Sequence, residues 1–225
     1  MVLCYAVRSR PVTLKSTVGE TSGVQENFGM SQFWYDDDTQ KELANEMLSK
    51  CPDGGTIAVL SAPSVINGMV NLGKNRDGIY IFEFDDRFGE TYPTQFVHYD
   101  FNEPLKFPEH LKHSVQYVMA DPPYLSHSTI QAFLDTMQLL AKPAETTSSS
   151  SGEAANSANS SSHELTEQQS LACPMMFITS PRNADFLGGF GFKRTSYTLR
   201  FQSKFATPMS VFCNYQPVHA RFDED

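Results

Sequence analysis

The sequence predicts an α/β domain built on a seven-stranded, mostly parallel sheet, with helices on both faces and an antiparallel pair of strands at the C-terminal edge. Three observations predict it. Apolar runs at 56–63, 78–86, 94–101, 115–120 and 174–181 are each of strand length, and helix-like patterns fall between several of them. Strands that alternate with helices indicate a parallel sheet with covered faces. The last two runs, "KRTSYTLRF" (193–201) and "MSVFCNYQ" (209–216), have little chain between them, too little for a parallel crossover.

Each element has a local reason. In "YDDDTQKELANEMLSKCPDGG", Thr39 and Glu42 are spaced as a capping box and acids crowd the first turn, which favours a helix start. Leu43/Met47 and Ala44/Leu48 form an i, i+4 stripe, and Pro52 with Gly54-Gly55 ends it. "TIAVLSAP" is a buried strand, and "SVINGMVNLG" is a helix after its loop. "GIYIFEFDD" and "TQFVHYDF" are the second and third strands, both closing on acids. The fourth runs from Val115 to Ala120 and stops at Asp121. Ile130, Phe133, Leu134, Met137, Leu140 and Ala141 then recur at helical spacing up to Lys142. "PMMFITSP" is the fifth strand, and "RNADFLGGFGFK" is a short helix with a glycine stop.

Residues 143–170, rich in Ser, Ala, Asn and Glu, bury too little apolar area to offset their ordering entropy, so a disordered surface insertion is expected there. The organisation that follows is a flexible tail over 1–30, one domain formed by 31–142 and 171–217, and a short tail over 218–225. "MVLCYAVRSRPVTLKSTVGE" carries two Arg, one Lys and several Ser/Thr before its first acid. That composition is compatible with a transit peptide or with a plain disordered tail. Pro11 interrupts any amphipathic helix there.

A net charge of −9 over 225 residues argues against broad contact with nucleic-acid phosphates and suits a basic partner. Cys4, Cys51, Cys173 and Cys213 are scattered without a CxxC pair, so neither a zinc cage nor a disulfide framework is indicated, and a reducing compartment such as the cytoplasm is expected. His110-x-x-His113 lacks a third ligand, so no metal is expected. No apolar stretch reaches the roughly 18 residues of a membrane span, and no long exposed apolar face asks for a second copy, so a monomer is expected.

In such sheets ligands bind beyond the carboxyl ends of the strands. The Ser61-Ala62-Pro63-Ser64 loop, Glu83, Asp100 and Asp121 share that rim. The loop lacks the G-x-G-x-x-G that a dinucleotide pyrophosphate needs. S-adenosylmethionine has no phosphate, and the small Ser61 and Ala62 leave room for its methionine part. Glu83, with Asp85 close by, is placed to take ribose hydroxyls, Asp100 to accept from an adenine amino group, and Phe101 to pack on the ring. Strand-end acids are also commonly just solvated.

Asp121-Pro122-Pro123-Tyr124 is the specific feature, expected by chance in roughly one chain in a thousand of this length. Two prolines cannot continue a strand or a helix, so they make a rigid elbow. A nitrogen attacking a sulfonium methyl must aim its lone pair along the C–S bond. The Asp121 carboxylate and the Pro122 carbonyl can each accept one N–H and so orient it, while Tyr124 gives an aromatic wall. Asp121 and Glu83 are expected on the solvent-facing rim.

This box, with "SQFWYDDDTQKELA", "IAVLSAPSV", "GIYIFEFDDRF", "FVHYDFNEP" and "ADPPYLS", resembles the eukaryotic protein-lysine methyltransferases that act on elongation factor 1-alpha. These are relatives of amino-group methyltransferases with a DPPY box, once grouped with N6-adenine DNA methyltransferases. The resemblance covers about 31–142 and, more loosely, 174–216. It implies a Rossmann-like class I methyltransferase fold, S-adenosyl-L-methionine as cofactor and elongation factor 1-alpha as protein substrate. It also implies that Phe33, Trp34 and Tyr35 lie over the cofactor near the helix headed by Thr39. An adenine N6 methyltransferase and a methyltransferase-fold binding module without turnover are the competing readings.

Overall fold

In the computed structural model, residues 23–72, 78–143, 173–204 and 207–223 are described. The basic stretch before Thr21 and the Ser-rich stretch from Ala144 lie outside them.

Ile57–Leu60 (β1), Ile79–Glu83 (β2), Phe96–His98 (β3), Tyr117–Ala120 (β4) and Met175–Thr179 (β5) pair in parallel, and Ser210–Cys213 (β7) joins β5 antiparallel. Lys193–Arg194 (β6) closes the far edge antiparallel to β7. The sheet order is β3-β2-β1-β4-β5-β7-β6. The chain therefore winds outward through β2 and β3, then returns to lay β4 on the other side of β1. The gap between β1 and β4 is the topological switch point, where such sheets open a crevice.

β1, β4 and β5 are buried along their whole length, as strands covered on both faces must be. Alternation divides their side chains between two layers. Ile57, Val59, Ile81, Met119 and Ile178 pack with Leu43, Ala44, Met47, Val65, Met69 and Phe88. Those side chains come from Asp37–Lys50 (α1), Val65–Asn71 (α2) and Arg87–Thr91 (α3). Leu60, Phe82, Val118, Ala120 and Phe177 pack on the other face. There they meet Ile130, Phe133, Leu134, Met137 and Leu187 from His127–Leu140 (α4) and Ala184–Gly188 (α5).

Two local expectations are corrected. The first helix begins three residues earlier than a Thr39 cap would place it. Asp36 is the N-cap, and its carboxylate accepts the Thr39 N–H at 2.8 Å. With three consecutive aspartates available, the first in extended geometry takes the role, and Thr39 becomes an interior residue. The run 193–201 is a strand only at Lys193–Arg194. Beyond it the pairing continues as single bridges, Thr195 to Phe222 and Phe201 to Tyr35.

Those bridges tie the first and last described segments to the domain. Gln202 donates its N–H to the Trp34 carbonyl, and Asp36 donates to that of Arg200. Residues 23–36 thus form a strap, with Val24 in the core and the Trp34 indole N–H on the Val24 carbonyl at 3.2 Å. The C-terminal segment is held by the buried Glu46, whose carboxylate accepts from the amides of Val218 and His219 and from the Tyr197 hydroxyl at 2.7 Å.

Gly68 is where α2 meets α1 most closely. A Cβ there would lie 2.2 Å from the Gln40 carbonyl oxygen. Gly68→Ala must push two packed helices apart and is expected to lower stability by about 3 kcal/mol. Urea unfolding measures it, and an unchanged midpoint would contradict this packing.

Candidate active site

The carboxyl ends of β1, β2, β3 and β4 open into one cleft of about 570 Å³, within the range of roughly 300–1,000 Å³ typical of small-molecule sites. Its floor is set by backbone bonds that continue the strand ladder. Ser61 donates its N–H to Phe82 O at 2.8 Å, Asp121 to Leu60 O at 3.0 Å, and Tyr99 to Glu83 O at 3.0 Å. Ser61 takes a left-handed φ of 54°, unusual for a residue with a Cβ. That turn bends the chain away from β1 and opens the crevice beside Ala62, Pro63 and Ser64, all of which line it.

Glu83, Asp100 and Asp121 converge on this cleft from three strand ends. Glu83 is 6% exposed; its Oε1 accepts the N–H groups of Phe84 and Asp85 at 3.1 and 3.2 Å. Asp100 uses Oδ1 to accept from the backbone and side-chain nitrogens of Asn102. Asp121 accepts a short hydrogen bond from the Tyr35 hydroxyl at Oδ2. Pro122 and Pro123 line the wall, Tyr124 stands half-exposed at the mouth, and its ring meets Phe101 edge-on at 5.8 Å. Phe33, Trp34 and Tyr35 of the strap close the opposite side.

Thr39 is not in the cleft. It is fully buried in α1, and its hydroxyl accepts the Arg200 N–H at 3.1 Å, which fastens the 200–202 segment beside the strap. Trp34 is 4% exposed and packs edge-on against Phe88, so most of the ring serves the core. Asp85 does not share a ligand position with Glu83, because Arg87 takes both its oxygens, the shortest contact being 2.5 Å. Nor do Glu83 and Asp121 present freely solvated carboxylates on the rim: Glu83 is buried, and Asp121 is half-buried against the Tyr35 hydroxyl.

That burial sets their chemistry. Burial pushes Glu83 up to about 7; the amides of Asp85 and Phe84 pull it down, and the Asp85 charge pushes it up. Burial likewise pushes Asp121 up to about 7, against the Tyr35 hydroxyl and with help from the Glu83 charge. Burial would also raise Asp85, but bonds from Arg87 and Gln32 hold it below the usual range.

Acids whose ordinary values are 4.5 and 3.8 bind protons more tightly folded than unfolded. Their contribution to stability therefore falls as pH rises from those ordinary values to about 7 and is lost above that. Between pH 7.5 and 5.5 the unfolding midpoint of wild type is expected to gain on that of Glu83→Gln, in which one of these groups is missing. Parallel profiles for the two proteins would contradict the raised value.

Gln32 was not legible as a site residue. It is buried in the cleft wall, donates to Asp85 Oδ2 at 2.9 Å and accepts from Asn27 and Arg87. Phe201, Thr207 and Met209 also line the cleft. No local sequence pattern marks them, because they arrive through the bridge between distant segments.

The doubly wound sheet and this acidic crevice at its switch point define a methyltransferase-like chain. Residues 26–217 match the family described as "Probable N6-adenine methyltransferase", and the chain belongs to that family. It is 42% identical over 120 residues to the protein named "EEF1A lysine methyltransferase 1" of Homo sapiens, covering 53% of this chain and 56% of that one. It is 38% identical over 109 residues to a Saccharomyces cerevisiae protein named as a protein-lysine N-methyltransferase, covering 45% of this chain and 43% of the other. The chain spans about half the length of the curated relatives it matches. Among solved structures, the C9 mutein of the branched-chain polyamine synthase from Thermus thermophilus shares the fold, with a TM-score of 0.51 at 12% identity, covering 90% of this chain and 61% of that one.

Proposed function

We propose that the chain is an S-adenosyl-L-methionine-dependent N-methyltransferase acting on a protein lysine, with elongation factor 1-alpha as substrate. One observation carries this reading. Glu83, Asp100 and Asp121 line the cleft, and no Lys, Arg or His is among its described lining residues. Such a cleft repels phosphates and attracts cations, most strongly above pH 7 where Glu83 and Asp121 ionise. The cofactor brings a sulfonium and an ammonium, and the substrate a lysine ammonium, so both are cationic.

The residues fit the cofactor. Ser61 and Ala62 leave space beside β1, and the Glu83 carboxylate, held by backbone amides at Oε1 and by the Gln32 side chain, borders the cleft where ribose hydroxyls would lie. Asp100 Oδ2 and Phe101 border the adenine end in this reading. Bound there, the cofactor supplies an electrophilic methyl group.

The chain's own residues do the rest. A lysine ammonium, with a reference pKa of about 10.4, must lose a proton to solvent before it attacks. Asp121 Oδ1 and the Pro122 carbonyl each accept one N–H of the resulting amine, which aims its lone pair. Tyr124 and Phe101 form the wall beside the nitrogen, where positive charge develops. Glu83 must be ionised for full ribose contact, so cofactor affinity should weaken by roughly tenfold between pH 8 and 6.

The relatives' names support the protein substrate, and the acidic lining disfavours an adenine within DNA or RNA. We further place the protein in the cytoplasm as a monomer; among the described residues no helix is long and apolar enough to cross a membrane. Radiolabelled cofactor added with the protein to cell lysate tests the substrate class. One labelled protein of the size of elongation factor 1-alpha is expected. Label confined to nucleic acid would overturn the reading.

A further inference from the structure

The oxygen of Asp121 that Tyr35 occupies is not an accident of packing. Tyr35 is held by three independent contacts. Its backbone bridges Phe201, its carbonyl accepts from the Gln40 side chain at 2.5 Å, and its ring packs on that of Phe201 at 5.2 Å. Asp121 is fixed from the other side by its N–H bond to Leu60 O. A side chain from the strap and one from the switch point therefore meet at a single hydroxyl–carboxylate contact, with Tyr35 buried and Asp121 half-buried.

We infer, resting on the amine-methylation reading above, that Tyr35 is a positioning residue: its hydroxyl holds Oδ2 of Asp121, so that Oδ1 alone faces the incoming amine. This differs from the cofactor-covering role that sequence resemblance implied. An unheld carboxylate can rotate and offer either oxygen. With Oδ2 engaged, the two acceptors presented to the amine are Oδ1 and the Pro122 carbonyl, at fixed directions. The groups acting on Asp121 are Tyr35 from the strap and Glu83 from the end of β2. Tyr99, Asp100 and Tyr124 line the same cleft. Among the charged groups all are acids, so the Tyr35 O–H is the one described donor that favours the ionised carboxylate.

Tyr35→Phe tests this, since it keeps the ring on Phe201 and removes the hydroxyl alone. Single-turnover methyl transfer at saturating cofactor is measured from pH 6 to 9 for wild type, Tyr35→Phe, Asp121→Asn and the double variant. Wild-type transfer to a protein substrate comes first; if it is absent, the functional reading fails before Tyr35 is in question. Given that transfer, Tyr35→Phe should be slowed roughly 10- to 100-fold at pH 7. The acid limb of its profile should move to higher pH, so that part of the rate returns by pH 9. Adding Tyr35→Phe to Asp121→Asn should cost no further rate, because the two act as a unit and the amide, no longer held by the hydroxyl, can turn its oxygen to the amine. A pH-independent loss, or additive effects in the double variant, would overturn the assignment. So would an unchanged rate in a single variant that melts like wild type.

Discussion

Asp121→Asn is expected to slow methyl transfer by roughly 10²- to 10³-fold while leaving cofactor affinity within about twofold. The asparagine is nearly the same size and can still accept from the Tyr35 hydroxyl through its amide oxygen. It then turns an N–H₂ toward the amine in place of the acceptor Oδ1. The lone pair is no longer aimed, and a donor faces a donor. Because burial raises Asp121 to about 7, the ionised form that prevails above that pH costs the fold some stability. Removing the charge should therefore leave stability at pH 8 unchanged or higher. Single-turnover rates with calorimetric cofactor binding separate the two effects. Normal turnover by the variant would reduce the Asp-Pro-Pro-Tyr elbow to a structural feature.

Glu83→Gln is expected to do the reverse. Charged hydrogen bonds are worth roughly 1.5–3 kcal/mol each, so losing the ribose contact should weaken cofactor binding about 10- to 100-fold. The rate at saturating cofactor should change little. Gln is the informative substitution because Glu83 is nearly fully buried and its Oε1 accepts two backbone N–H groups. Ala would strand those donors and confuse stability with binding. Equal affinity for wild type and Glu83→Gln would remove Glu83 from the cofactor site.

Much of this was legible in the sequence, and the reasons are specific. β1, β4 and β5 read as strands because short apolar runs with abrupt polar ends have few alternatives. Asp121-Pro122-Pro123-Tyr124 stood out because two prolines must end whatever precedes them. The strap was not legible. Whether Tyr35 touches cofactor or Asp121 depends on a bridge to Phe201, 166 residues away in a segment read as an ordinary edge strand. Thr39 failed for a related reason: capping geometry chose Asp36 from three adjacent acids, and the freed Thr39 hydroxyl went to Arg200. The burial of Glu83 and the cover that Tyr35 gives Asp121 were missed because strand-end acids carry no local mark of what will cover them.

The most direct test is mass analysis of purified elongation factor 1-alpha after incubation with this protein and S-adenosyl-L-methionine, with Asp121→Asn run in parallel. The account predicts methyl groups on a lysine side chain with wild type and almost none with the variant. Cofactor binding without methylation of any lysine, or methyl groups on adenine N6 of nucleic acid supplied in the same reaction, would contradict it.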